Sequence, residues 1–381
     1  MTFIEEVGSS IGPILAVFAA AALLAAILTP LIRRVVLRYR IVDRPNSRRV
    51  NTRPIPRAGG LAIAAAFLIV AGGFVLLNER AGWVPTPLNL GSSDLLALFL
   101  GGAAAAALGG IDDLFNLRAR WQLAGQIGLA LLAVALGIGI VVINNPFGTG
   151  VIRFIEPFSV GFTVFWIVGM MNSINWIDGL DGLSTGIALI ASVTLGLISL
   201  TTKISQPLIA VLCFALAGAL AGFLRWNFHP AKIFSGTSGV QFVGYTLAVL
   251  SILGSAKVAV ALLVLGVPII DTFWIIVGRV SRGVSPFAPD RSHIHHRLLD
   301  LGLSHRNTVL VIYGICAALG VLALLVSELT TLYAFLGVFI AFGLVLFVPT
   351  RGRFLADLEA ESYVNGVRSG DAHDDTTRQA G

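Results

Sequence analysis

Apolar stretches of membrane-spanning length follow one another along this chain and leave it few ways to fold. Eleven candidate spans occupy residues 11–31, 60–77, 94–111, 121–143, 159–176, 183–201, 207–224, 236–254, 257–278, 309–326 and 332–349. Each is long enough to cross roughly 30 Å of hydrocarbon as a helix. Period-two alternation is absent, which argues against an outer-membrane barrel. Hydrophobic residues make up 56% of the 381 residues and charged residues 12%. A soluble domain carries about 25% charged residues, so an ordinary soluble enzyme and a disordered protein are both excluded. Cys213 and Cys316 lie in apolar runs, and no disulfide framework is implied. The expected fold class is all-α, a polytopic integral membrane protein with about eleven transmembrane helices. Residues 1–350 form a single transmembrane domain, followed by a flexible polar tail over 351–381.

Basic residues set the orientation. The gap between the first two spans holds nine arginines, and the face containing it carries 22 of the 26 Lys and Arg residues; the other face holds Arg80, Arg153, Lys203 and Lys257. Loops rich in Lys and Arg stay in the cytoplasm. The N-terminus is therefore expected outside and the C-terminus inside. A net charge of +6 follows largely from this bias and calls for no nucleic acid. Glu5 and Glu6, in place of a basic start, argue against a cleaved signal peptide.

The polar residues that interrupt the spans gather on that same cytoplasmic face. Ionisable groups at membrane depth are costly and mark sites or pathways; clustering at one depth suggests a surface-facing site. Asp112-Asp113 end the third span, where acids oppose the helix dipole, and suit a metal ligand or general base. The alternative is a pair of solvated loop acids. Asn172, Asn175 and Asp178 are three residues apart, so a helix stacks them on one face, and Asp178-Gly and Asp181-Gly follow as turns. Turn chemistry explains the Asp-Gly pairs but not two asparagines in an apolar helix end. His293, His295 and His296, with Arg291, form a basic tract suited to holding phosphate, or else a solvated loop. Arg57, Gly59 and Gly60 precede the second span, where glycines let backbone amides approach a ligand. Gly101, Gly102, Gly109 and Gly110 read as helix-packing surfaces.

Six segments carry a resemblance: PNSRRVNTRPIPRAGG (45–60), GGIDDLFNLRARWQLAGQ (109–126), NSINWIDGLDGLSTG (172–186), RWNFHPAKIFSG (225–236), VPIIDTFWIIVGR (267–279) and PDRSHIHHRLLDLGLSHRNTVL (289–310). In this order they resemble the polyprenyl-phosphate N-acetylhexosamine-1-phosphate transferase superfamily. The likeness is to the bacterial undecaprenyl-phosphate GlcNAc-1-phosphate transferase branch, related to the phospho-MurNAc-pentapeptide translocases. The resemblance implies a multi-pass enzyme of the bacterial cytoplasmic membrane. It would use a UDP-N-acetylhexosamine and undecaprenyl phosphate, with Mg²⁺ as cofactor and Mn²⁺ as an alternative ion, and a homodimer is compatible with it. It implies metal and catalytic roles for Asp112 and Asp113. His293, His295, His296 and Arg291 would contact phosphate and sugar. Substrate binding falls to Arg57, Gly59, Gly60, Arg120, Asn172, Asn175, Asp178, Asp181, Asn227 and Lys232.

Three positions depart from the family pattern. Thr237 stands where the pattern has a metal-ligating Asp, Asn51 where it has His, and Arg120 where it has Lys. A neutral hydroxyl is a poor replacement for a hard anionic ligand, so weakened metal binding is expected, and a catalytically impaired relative is the alternative reading. A secondary transporter is the competing class, but it would carry inverted repeats with midplane sites, and no repeat is present. The orientation predicts that single cysteines placed in 144–158 of sealed cells react with an impermeant thiol reagent, while those in 32–59 are protected. The reverse pattern would overturn the shared-face argument.

Overall fold

A computed structural model describes residues 3–43, 54–87, 90–145, 150–201, 205–254, 257–281, 283, 293–326, 330 and 332–341. Arg291, Asn51 and the tail 351–381 lie outside the described residues. Met1–Phe335 form one compact unit and Leu336–Gly381 a second; all the polar clusters above belong to the first.

The chain is mostly helical: α1 (Phe3–Arg38), α2 (Gly60–Ala81), α3 (Ser92–Phe115), α4 (Ala119–Ala135), α5 (Glu156–Ile177), α6 (Leu183–Ser199), α7 (Pro207–Asn227), α8 (Gly236–Leu253), α9 (Lys257–Val264), α10 (Gly266–Ser281), α11 (Ile294–Asp300) and α12 (His305–Leu325). Two short antiparallel ribbons qualify the all-α expectation: β1 (Val42–Asp43) with β2 (Ile55–Pro56), and β3 (Val142–Asn144) with β4 (Val151–Arg153). Among the described residues, seven helices are long and apolar enough to cross a membrane, or eight if α9 and α10 form one span. The protein is thus a polytopic membrane protein; among the described residues fewer helices reach full spanning length than the eleven expected, and residues 342–349 of the last expected span lie outside them. The reasons are local. α4 and α6 have 17 residues each, about 25 Å of helix. The stretch read as 121–143 leaves helix at Ala135 and runs on into β3. The stretch read as 257–278 bends by 78° between α9 and α10. Pro268 has no N–H for the carbonyl of Val264, the last residue of α9, and a missing donor of this kind breaks a helix.

α7 and α8 form the buried centre of the bundle. α1 packs most extensively on α7, and α3 and α5 on α8. In lipid there is little hydrophobic drive between helices, so close backbone approach through small residues supplies the packing. A Cβ on Gly218 of α7 would lie 2.2 Å from the Phe18 carbonyl of α1, and one on Gly222 would lie 2.0 Å from that of Ala22. Gly101, Gly102 and Gly109 of α3 face Tyr245, Phe242 and the Thr237–Ser238 backbone of α8. The packing reading of those glycines therefore holds. Polar groups are paired across helices: Tyr245 Oη donates to Ala97 O at 2.9 Å, and Trp166 Nε1 to Ser251 Oγ at 3.0 Å.

Replacing Gly218 or Gly222 with Val should therefore force α1 off α7 and cost about 1–3 kcal/mol. Gly73→Ala, where the added carbon meets nothing within 4 Å, should be neutral or stabilising. Thermal unfolding of the three purified variants in detergent checks this contrast; equal midpoints for Gly222→Val and the parent would remove the close-contact account.

Candidate active site

The site is built where α3 ends and α8 begins. Phe234 N–H donates to Pro56 O (2.8 Å), Gly59 N–H to Phe234 O (2.9 Å) and Gly60 N–H to Ser235 O (2.7 Å). These bonds zip the approach to α2 onto the approach to α8. A Cβ on Gly60 would lie 1.9 Å from Gly239 Cα. Gly59 and Gly60 thus permit a backbone-to-backbone contact, and neither lines the cavity below. Gly236 then turns with φ +68°, and a Cβ there would lie 2.6 Å from the Asp113 carboxylate. Glycine alone satisfies both the backbone angle and the space.

Asp113 is almost fully buried and accepts from two amides of the first turn of α8: Thr237 N–H at Oδ1 (2.9 Å) and Ser238 N–H at Oδ2 (3.0 Å). It lies at the C-terminus of its own helix and at the favourable N-terminal end of another. Asp112 turns away. Its Oδ1 accepts from Leu117 N–H (2.8 Å) and Gln122 Nε2 (2.7 Å), and its Oδ2 from the Thr237 hydroxyl (2.6 Å). Thr237 thus braces the acid pair. Arg57 Nη2 donates to Asp113 O and to Asn116 Oδ1 (2.7 Å), with its Nε 3.9 Å from Asp113 Oδ1.

The turn after α5 closes the opposite wall. Asp178 accepts from the hydroxyls of Ser184 and Ser235, the latter at 2.7 Å. Burial raises its pKa above the ordinary carboxylate range against those hydrogen bonds, and the charges of Asp113 and Asp181 raise it further. Asp181 Oδ2 meets His229 Nδ1 (2.8 Å) and Ala231 N–H (3.0 Å), and Asp181 N–H donates to His305 Nε2 (2.9 Å). Asn227 is held by Thr185 Oγ1 (2.8 Å) and donates to Ile233 O (3.1 Å).

A cavity of about 300 Å³ lies between these walls. Of the residues nominated from sequence, Arg57, Asp113, Asn175, Asp178, Asp181, Asn227, Thr237 and His296 line it. Others lie apart. Asn172 donates to Gln126 Oε1 (2.7 Å) inside the bundle. His293 Nδ1 pairs with Asp271 Oδ2 at 2.7 Å. Arg120 and Lys232 are exposed and lie over Trp121 and Trp226 at 5.5 Å and 5.3 Å. His295 is buried behind Gly179, where a Cβ would come 2.2 Å from its Nε2. Sequence reasoning missed Asp43, Gly179 and His305, which also line the cavity. Asp43 was detectable as the lone acid in the arginine-rich first loop, delivered by the β1–β2 ribbon. His305 follows the helix cap Ser304, and its inward position has no local signal.

His295 is held neutral. Burial lowers its pKa well below the usual imidazole value, and His296, His293 and His305 lower it further. As pH falls below about 6.5, the unfolded chain takes up a proton that the folded chain refuses, so stability is lost. Melting temperature should therefore drop between about pH 7 and about pH 5, and less steeply in His295→Gln. Gly179→Ala should push His295 off the turn and lower turnover about tenfold or more, while leaving the protein folded by circular dichroism. Unchanged turnover would separate the histidine segment from the site.

Residues 95–255 match the model of the family described as glycosyl transferase family 4. Over 346 residues the chain is 36% identical to a probable undecaprenyl-phosphate N-acetylglucosaminyl 1-phosphate transferase of Bacillus subtilis, covering 88% of this chain and 90% of that protein. It is 32% identical over 362 residues to the decaprenyl-phosphate N-acetylglucosaminephosphotransferase of Mycobacterium tuberculosis, covering 87% and 88%. It is 27% identical over 311 residues to the undecaprenyl-phosphate alpha-N-acetylglucosaminyl 1-phosphate transferase of Yersinia pestis, covering 78% and 80%. With a cavity of buried acids at the helix ends of a polytopic membrane protein, and relatives alike over nearly their full length, the chain belongs to glycosyl transferase family 4.

Proposed function

We propose that this protein transfers N-acetylglucosamine-1-phosphate from UDP-GlcNAc to a polyprenyl phosphate such as undecaprenyl phosphate, at the cytoplasmic face of the bacterial inner membrane. An oxygen of the lipid phosphate attacks the β-phosphorus of UDP-GlcNAc. The bond from that phosphorus to the bridging oxygen breaks, and UMP leaves with the bridging electron pair. The observation that carries the reading is the convergence of Asp43, Asp113, Asp178 and Asp181 on one cavity in a protein whose relatives are named for this transfer. The positive-inside bias supports the cytoplasmic placement.

The donor set fits a hard divalent ion. Carboxylate oxygens line the cavity, and each oxygen of Asp113 and Asp178 accepts one protein hydrogen bond, leaving lone-pair capacity. Asp113 and Asp178 would hold Mg²⁺, or Mn²⁺, and the ion would supply charge neutralisation for the diphosphate. The protein does the rest by position. Arg57 and His296 offer donors to phosphate oxygens, and Asn175 and Asn227 offer amides to the nucleotide or sugar. The amides of the first turn of α8 hold Asp113 in place, so little reorganisation accompanies reaction.

Thr237 favours a second reading, a relative with impaired catalysis. Its hydroxyl is already spent as a donor to Asp112 and supplies no anionic ligand. UMP release from a panel of UDP-sugars, with undecaprenyl phosphate and Mg²⁺, tests both readings. The transferase reading predicts release with UDP-GlcNAc that depends on the lipid phosphate; binding of UDP-GlcNAc without release would favour the impaired relative.

Asp112→Asn, Asp113→Asn, Asp178→Asn and Asp181→Asn should each lower turnover on the order of 10²-fold; four folded variants with normal turnover would dismiss the site. Thr237→Asp should lower the Mg²⁺ concentration needed for half-maximal activity and raise turnover. Identical Mg²⁺ titrations of parent and variant would place residue 237 away from the ion.

A further inference from the structure

Three ligand-type side chains meet at one edge of the cavity from separate elements. Asp181 comes from the turn after α5, His229 from the segment between α7 and α8, and His305 from the first turn of α12. One donor atom from each lies within 4.8 Å of the other two. We propose that Asp181, His229 and His305 bind a borderline transition-metal ion of the Zn²⁺ class, at a site separate from Asp113 and Asp178.

The donor set selects this class of ion. Two imidazole nitrogens and one carboxylate oxygen suit Zn²⁺, Co²⁺ or Ni²⁺, whereas Mg²⁺ prefers oxygen alone. His305 Nε2 accepts the Asp181 N–H at 2.9 Å, so that nitrogen carries no proton of its own, and a metal bound there takes the lone pair in place of the amide. The His229 and His305 rings stack with centroids 4.3 Å apart, a separation at which two imidazolium charges repel. His229 Nδ1 and Asp181 Oδ2 are hydrogen-bonded at 2.8 Å. A metal entering there bonds to both atoms, and the proton of that hydrogen bond leaves to solvent, so binding strengthens as pH rises.

The site is also braced and accessible. Ala231 N–H holds the same carboxylate oxygen at 3.0 Å, an outer bond of the kind that orients a ligating carboxylate. His229 is exposed, which gives the ion a way in. Asp181 and His305 line the cavity. Three protein ligands leave a fourth position open toward it, the arrangement of a site that accepts an exogenous ligand. Binding here does not depend on the transferase reading, since the donors are the chain's own.

The test uses full-length protein in detergent, stripped with chelator and titrated with Co²⁺, whose visible d–d absorption reports a low-coordinate nitrogen-containing site. The absorption should saturate at one Co²⁺ per chain, vanish on adding Zn²⁺ and resist a large excess of Mg²⁺. Co²⁺ affinity should fall about 100-fold or more in His229→Ala and in His305→Ala, and stay unchanged in His293→Ala. If His305→Ala does not fold, the exposed His229→Ala decides alone. No absorption in folded parent, unchanged affinity in His229→Ala, or loss confined to His293→Ala would each overturn the proposal.

Discussion

The architecture of the site depends on one carboxylate placed at the start of a helix it does not belong to. Asp113 ends α3, where its charge opposes the local dipole, and its two oxygens take the first amides of α8. Charge and orphan amides satisfy each other in a low-dielectric setting where either alone would be costly. The bond locks α3 to α8 at one depth. Gly109 and Gly236 then let the two backbones close around it. The Asp112–Thr237 bond and the Arg57 contact to Asp113 O reinforce the same junction.

From this junction the rest of the site follows by short links. Ser235, just before α8, reaches Asp178. Asp178 belongs to a turn that is pinned at Gly179 by His295 and at Asp181 by His229, Ala231 and His305. Each link joins segments far apart in sequence, so the acids are held close together against their mutual repulsion. Burial raises the pKa of Asp178, and the neighbouring charges of Asp113 and Asp181 add to the rise. In the transfer proposed above, a divalent cation would offset these carboxylates and let a diphosphate approach them.

Much of this was legible in the sequence because membrane burial makes polar residues conspicuous. The apolar spans gave the class of fold, and Asp113, Asn175, Asp178 and Asp181 stood out for their expense at a helix end. His296 showed in the basic histidine tract and Arg57 beside the glycine pair, and the resemblance added Asn227. What did not show was direction. Asp112 and Asp113 are neighbours in sequence, yet a helix points them apart, one to the cavity and one to Gln122. Asn172 and Asn175 are stacked by spacing, but only Asn175 reaches the cavity, one turn nearer the helix end. Gly59 and Gly60 read as a ligand loop; their neighbours, Phe223, Phe234 and Gly239, are supplied by α7 and the start of α8 and cannot be seen locally. Among the described residues fewer helices reach spanning length than the eleven expected, because hydropathy does not register a helix that stops early at Ala135 or bends beside Pro268.

Hydrogen–deuterium exchange of the purified protein, with and without UDP-GlcNAc and Mg²⁺, tests most directly that these distant segments form one site. The account predicts that substrate slows exchange together in three places: the turn 178–183, the segment 234–238 leading into α8, and the start of α12 at 305–308. Protection confined to one of them, or concentrated at the β3–β4 ribbon on the other face, would contradict it.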